Sequence, residues 1–240
     1  MLSRLVLASL LLLALTAAAQ THVYTDSAVS AATPAAKRVL FIPPDISVSE
    51  LSAGGVIEKV PDWSKQARGH MMEALRKLAP NARFEIVVVP ALTTQERESL
   101  DEHTALYEVV AVNVQRNGVG GGQVWTERLK SGLTDYTLGP GLAFLADKTG
   151  ADAALFVIAQ DFVSTSERKA LAVVGALFGA VVPLGRTFAV AGLVELRSGK
   201  LLWQAYDTSV TPDLRVAADA DKVVKDLFQA FPGNATAPNR

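Results

Sequence analysis

The sequence predicts an α/β domain: a single mixed β-sheet with helices packed on it, ending in a β-hairpin and a C-terminal helix. Three observations predict it. Short apolar runs rich in β-branched residues, at 39–43, 84–89 and 153–159, alternate with segments of helical period, and strands separated by helices need crossovers and parallel pairing. Two further runs, 188–196 and 201–206, flank Arg197-Ser198-Gly199-Lys200, a turn short enough to make them an antiparallel hairpin. The last periodic segment, 217–231, sets Val223, Val224, Leu227 and Phe231 on one helical face before Pro232-Gly233 stops it.

The elements follow in order along the chain. Residues 1–19 hold one charge, Arg4, then an apolar run from Leu5 to Leu15, then small residues. That is the layout of a secretory signal peptide, with Ala17 and Ala19 at the small positions before a cut between Ala19 and Gln20. The run is shorter than the ~20 residues a spanning helix requires. Residues 20–37, rich in Ala, Ser and Thr, are expected as a flexible lead-in. A single domain is expected over 38–232 and a flexible tail over 233–240. Within the domain, Pro43-Pro44 ends the first strand, and 46–60, with Gly54-Gly55, is expected as a loop. Pro61-Asp62 starts a helix whose inner face is Trp63, Ala67, Met71, Leu75 and Leu78. Phe84–Val89 is expected as a second buried strand. Thr93 or Thr94 opens a helix with Leu100, Leu106, Tyr107, Val110 and Val114, stopped by Gly118 and Gly120–Gly122. A third helix runs from Thr137-Leu138-Gly139-Pro140 to Gly150. Ala153–Ala159 is apolar throughout and therefore central in the sheet.

Composition narrows the function classes. Half the residues are apolar and 20% are charged, enough for a packed core. Lys and Arg total 23 against 24 Asp and Glu, so a chain-wide basic footprint for nucleic acid is absent. There is no cysteine, which excludes disulfides, thiolate metal sites, a cysteine nucleophile and a lipid carried on an N-terminal cysteine. An exported chain without disulfides points to a bacterial envelope, since small secreted eukaryotic domains lean on them.

Motifs for chemistry are sparse. His22, His70 and His103 sit in the lead-in and on two separate helices, with no ligand spacing. Gly118-Val119-Gly120-Gly121-Gly122 follows no strand closely and ends in Gln123, so it reads as a loop and not as a phosphate cradle. There is no G-x-S-x-G elbow. Ser164-Thr165-Ser166 are helix-capping hydroxyls unless a base adjoins them. Asp161 and Glu195 end strands of the same sheet, and as a carboxylate pair they carry the alternative reading of an envelope hydrolase, with Ser164 as its other candidate nucleophile. No cofactor or metal is expected.

The least ordinary segment is ALAVVGALFGAVVPLG, sixteen uncharged residues between Lys169 and Arg186. Its Leu171, Val174, Gly175, Leu177, Phe178, Gly179, Val182 and Leu184 are the candidate interaction or membrane residues. Gly175 and Gly179 have the G-x-x-x-G spacing that lets helices approach closely. Three readings stand side by side here: a core helix or strand pair, a contact hidden in an oligomer, and a segment dipping into the outer membrane.

Two stretches carry a resemblance. Phe144-Leu145-Ala146, then Gly150-Ala151-Asp152 followed by Ala153-Ala154-Leu155-Phe156-Val157, resembles the helix and "GAD plus apolar strand" of bacterial envelope proteins. Gly192-Leu193-Val194-Glu195-Leu196-Arg197-Ser198-Gly199-Lys200-Leu201-Leu202-Trp203 is similar to their strand, acidic residue, Ser-Gly turn and Trp hairpin. The proteins resembled are the curli-secretion channel subunit, the N-terminal domain of the Tol system's periplasmic propeller protein and small envelope lipoproteins, over residues 38–232. The resemblance implies an anticodon-binding-domain-like fold used as an envelope assembly module without a catalytic site. The 170–185 insert falls where the pore-forming member inserts barrel hairpins, but it has Gly and Pro and no alternation of period two. The function expected is that of a non-enzymatic periplasmic protein that binds envelope proteins or copies of itself, with outer-membrane contact as a further expectation and nucleic acid excluded.

Overall fold

The structure, a computed structural model, describes residues 21–26, 29, 36–78, 84–118, 136–209, 212–229 and 231–232. The signal peptide and its Ala19–Gln20 cut, the 119–122 part of the glycine loop and the 233–240 tail lie outside them. The elements are β1 (Thr21–Thr25), β2 (Arg38–Phe41), β3 (Asp45–Leu51), β4 (Ile57–Lys59), α1 (Pro61–Leu78), β5 (Glu85–Val88), α2 (Thr94–Gly118), a 3-10 turn (Pro140–Leu142), α3 (Ala143–Thr149), β6 (Ala153–Ser164), α4 (Ser166–Leu177), β7 (Thr187–Glu195), β8 (Leu201–Ser209) and α5 (Ala217–Phe228).

All eight strands join one mixed sheet in the order β1-β8-β7-β6-β2-β5, with β3 against β6 and β4 against β3. β2 pairs in parallel with β5 and β6, and β3 in parallel with β6. β6, β7 and β8 form an antiparallel meander. The mixed sheet, the closing hairpin and the C-terminal helix are therefore as the sequence predicts.

β6 is the spine. Ala153, Leu155, Val157 and Ala159 face a core closed by Ala67, Met71, Ala74 and Leu75 of α1 and by Val223, Val224, Leu227 and Phe228 of α5. Ala154, Phe156 and Ile158 face the other core, closed by Leu100, Tyr107, Ala111 and Val114 of α2 and by Leu145 and Ala146 of α3. A strand covered on both faces has no polar side, which is why its sequence is apolar without alternation. Helices thus cover both faces of the sheet.

Local chemistry sets the helix ends. Thr93 and Glu96 form a reciprocal capping box: Thr93 N donates to Glu96 Oε2 at 2.8 Å and Glu96 N to Thr93 Oγ1 at 3.3 Å. Lys148 also reaches Glu96 Oε2 at 2.7 Å, and together these contacts hold the carboxyl of Glu96 below its ordinary range. Gly150 ends α3 at φ 66°, with its N–H on the Ala146 carbonyl.

Three expectations need correction. The segment 46–60 holds β3 and β4, not only a loop: Ile46 and Val48 are fully buried at alternate positions, a strand pattern masked by the prolines before it and the glycines after it. Pro43-Pro44 interrupts the ladder because proline has no N–H to donate, but the chain resumes as β3 farther along the same side of β6. Thr21–Thr25, placed in the flexible lead-in, is a strand antiparallel to β8. β5, expected as buried, is the outermost strand at the β2 side and is half-exposed.

Candidate functional site

The 170–185 segment is not core. α4 begins with Thr165 as N-cap, its hydroxyl accepting from Arg168 N at 3.2 Å, and Glu167 adds a negative charge to the first turn, where it is favoured. Past that turn the helix stands clear of the body. Arg168 is its one buried side chain among the described residues. Arg168, Ala172 and Gly175, spaced by four and three, form the inner stripe against the returning segment 178–186; the remaining positions from 170 to 177 are exposed.

The apolar side chains grow more exposed toward the tip. Leu171 and Leu184, nearer the stem, are 46% and 50% exposed, whereas Leu177, Phe178 and Val181 reach 79%, 85% and 91%. Val173 and Val174 are exposed too, and Val182 is half-buried. Large apolar groups normally leave water on folding. A contiguous set left in water marks a surface for a partner or a membrane.

The helix end explains the G-x-x-x-G spacing. Gly179 has φ 74°, Ala180 N donates to the Gly175 carbonyl at 2.9 Å and Gly179 N to the Ala176 carbonyl at 3.2 Å. This is a Schellman end: Gly179 is the left-handed residue just past the helix, and Gly175 supplies a carbonyl and room for Val182, whose Cγ2 would lie 3.3 Å from a Cβ there. Within the chain, the motif terminates a helix.

The stem is fixed by polar contacts. Arg168 Nε donates to the Pro183 carbonyl at 2.9 Å and Nη1 to the Ser52 carbonyl at 3.0 Å. Gly185 N donates to Ser164 Oγ at 2.8 Å and Phe162 N to the Arg186 carbonyl at 3.0 Å. Ser52 opens the β3–β4 turn, so the exposed Val56 and Ile57 stand beside the stem. Lys169 and Arg186 are exposed on either side of it.

The candidate catalytic groups are separated and committed elsewhere. Asp161 pairs with Thr187 and Glu195 with Ala153, eight residues apart along β6, or about 26 Å at strand rise; the two carboxylates do not meet. Asp161 is buried. Its Oδ2 accepts Leu214 N at 2.9 Å. The Thr187 hydroxyl lies 3.0 Å from Oδ1 and 2.7 Å from the Pro212 carbonyl, its one proton serving both acceptors. Burial raises the carboxyl above its ordinary value of 3.8, opposed by the hydrogen bonds from Leu214 and Thr187. The carboxylate therefore fastens the loop before α5 to the sheet. Next to it, Asp213 and Arg215 pair at 2.6 Å, and the guanidinium lies 4.3 Å from the centre of the Trp63 ring. Ser164 holds Gly185, and Glu195 takes a hydrogen bond from the Ser198 hydroxyl inside the β7–β8 turn.

The resemblance motifs do structural work. Asp152 Oδ2 accepts the N–H groups of Lys37 and Arg38 at 2.9 and 3.0 Å, setting the start of β2. Gly199 turns the hairpin at φ 73°, and Trp203 is fully buried with its ring 4.8 Å from Phe231. His70 contacts the Leu214 carbonyl and His103 the Ser99 carbonyl; no group of three metal-ligating side chains occurs among the described residues. Among those residues no helix is long and apolar enough to cross a membrane. Sequence reading missed Val173 and Val181 as exposed members of the surface, although both lie inside the uncharged run that flags it, and it missed Arg168, whose buried charge ties the stem.

No protein-family model matches the chain, and no curated protein matches it. Among solved structures it is similar to the PelC dodecamer from Paraburkholderia phytofirmans, with a TM-score of 0.39 and 10% identity over 92% of this chain and 99% of that one. A single-residue variant of that dodecamer gives the same TM-score and identity over 90% and 99%. Superpositions of this quality do not establish a common fold.

Proposed function

We propose that the chain is a non-enzymatic binding or assembly module of a bacterial envelope, exported by its N-terminal segment and acting in the periplasm through the 170–185 protrusion. The observation that carries the reading is the continuous apolar surface from Leu171 to Leu184 left in water on a fold that has two complete cores without it. Support for a non-enzymatic role comes from Asp161, Ser164 and Glu195. Each is engaged in holding a loop or turn, and general acid–base or nucleophilic work needs such groups to converge on a substrate. Envelope proteins and further copies of the chain are the macromolecular partners expected of such a module. The balanced charge of 23 basic and 24 acidic residues argues against nucleic acid.

The test is photo-cross-linking in intact cells, with a photoreactive residue in place of Val173 or Phe178 and, as control, in place of the exposed Lys65 on α1. Adducts to protein or lipid at 173 and 178, well above those at 65, are expected. Equal yields at the three positions overturn the reading.

A further inference from the structure

We propose that the protrusion is a membrane-surface wedge. Leu177, Phe178 and Val181 enter the boundary between headgroups and acyl chains of an anionic phospholipid bilayer, while Lys169 and Arg186 hold the stem at the phosphates. The inference rests on the binding-module reading and names the partner of that same surface.

Shape is the first argument. From Ala170 to Leu177, apart from the inner Ala172 and Gly175, exposed apolar side chains and alanines surround α4. A rigid protein partner covers one face of a projecting helix. A fluid encloses all of them, and the acyl region of a bilayer is such a fluid. The most exposed apolar side chains, Leu177, Phe178 and Val181 at 79%, 85% and 91%, cluster where the chain reverses at the end of α4.

Charge is the second. From Glu167 to Arg186 the chain has three cations against one acid, in a sequence whose net charge is -1. Arg168 is occupied by the Pro183 and Ser52 carbonyls, which leaves Lys169 and Arg186 as exposed cations at the two ends of the apolar run. Long basic side chains at the edge of an apolar segment reach naturally to lipid phosphates.

Dimension and backbone chemistry agree. The apolar part of α4, Ala170–Leu177, is about 12 Å long at helical rise. This is slightly more than the roughly 5–10 Å to which interfacial elements are buried and falls far short of the ~30 Å of a hydrocarbon core. At the end that enters, the Gly175 and Ala176 carbonyls are satisfied by Ala180 and Gly179, so the helix terminus brings fewer bare carbonyls into an apolar medium.

The test is vesicle flotation of the full chain, using phosphatidylethanolamine with phosphatidylglycerol against phosphatidylcholine alone, for wild type and for the combined variant Leu177→Ser, Phe178→Ser, Val181→Ser. Both carry the same N-terminus, so that segment cancels. Wild type is expected to float with the anionic vesicles, and the variant to bind at least about tenfold more weakly. Because the chain has no cysteine, Phe178→Cys accepts a single environment-sensitive fluorophore, whose emission is expected to shift to the blue on adding anionic vesicles. This second measurement does not depend on the triple variant folding. Failure of wild type to float, equal flotation of the variant, or a blue shift that follows protein concentration without lipid, as a second copy would cause, each overturns the wedge. If protein adducts at 173 and 178 persist in cells while flotation fails, the binding-module reading stands and only its lipid assignment falls.

Discussion

Gly185 lies so close to Phe162 that a β-carbon built on it would sit 1.6 Å from the Phe162 carbonyl oxygen. The returning arm of the protrusion can cross the end of β6 only without a side chain at that position. Gly185→Ala is therefore expected to destabilise the protein by at least about 2 kcal/mol, read as a lowered urea midpoint. Gly175→Ala meets only the movable Val182 side chain at 3.3 Å, and alanine is the better helix residue. Its stability is expected within about 1 kcal/mol of wild type.

Asp161 makes stability depend on pH with a definite sign. Burial raises its carboxyl in the folded state above the ordinary 3.8, so over that interval the folded chain binds more protons than the unfolded one. Stability then falls as pH rises from 3.8 to the raised folded value and stays lower above it. Asp161→Asn removes this slope and also one acceptor, leaving either Leu214 N or the Thr187 hydroxyl with less than it has now. Urea unfolding of both proteins over the acid range is expected to show the wild-type advantage narrowing as pH rises through that interval. A gap constant with pH would contradict it.

Trp203 packs between α5 and the sheet, with ring centres 4.8 Å from Phe231 and 5.7 Å from Phe228. Trp203→Ala is expected to cost about 3–5 kcal/mol, read as the shift of the thermal midpoint. Trp203→Phe keeps most of the apolar volume and is expected to cost less than half as much.

The protrusion contributes little to folding. Val173→Asp and Phe178→Asp are expected to change stability by no more than about 0.5 kcal/mol, since both side chains are already in water. The same substitutions are expected to lower the binding of an apolar fluorescent dye by the folded protein. Midpoints that fall by several kcal/mol equivalents would mean the segment is packed against the body in solution.

These expectations bear on what could be read before the fold was in view. Ala153–Ala159 was legible because a strand buried on both faces has to be apolar at every position, and the β7–β8 turn because Ser198-Gly199 has only a few ways to close. β3 was hidden by its setting: Ile46 and Val48 give just two inward steps between a proline pair and a glycine pair. β1 has no local signature, since Thr21–Thr25 is a strand only because β8 offers it an edge. Asp161 and Glu195 looked like neighbours because both end strands of adjoining runs, but antiparallel register sends them to opposite ends of β6. Composition left the 170–185 run open between core, oligomer contact and membrane segment, because exposure is a property of the finished fold and no local pattern encodes it.

At the foot of the protrusion, Asp161 already faces Thr187 across the β6–β7 ladder, and Phe162 N bonds the Arg186 carbonyl. The two strands have met before the excursion begins, and beyond Ser164, where β6 leaves β3, the chain out to Gly185 is in effect one long hairpin loop. A tight two-residue turn could close the same ladder. The sheet thus offers a socket at this point: the segment can be excised, or exchanged for a foreign epitope, without rethreading the rest of the chain.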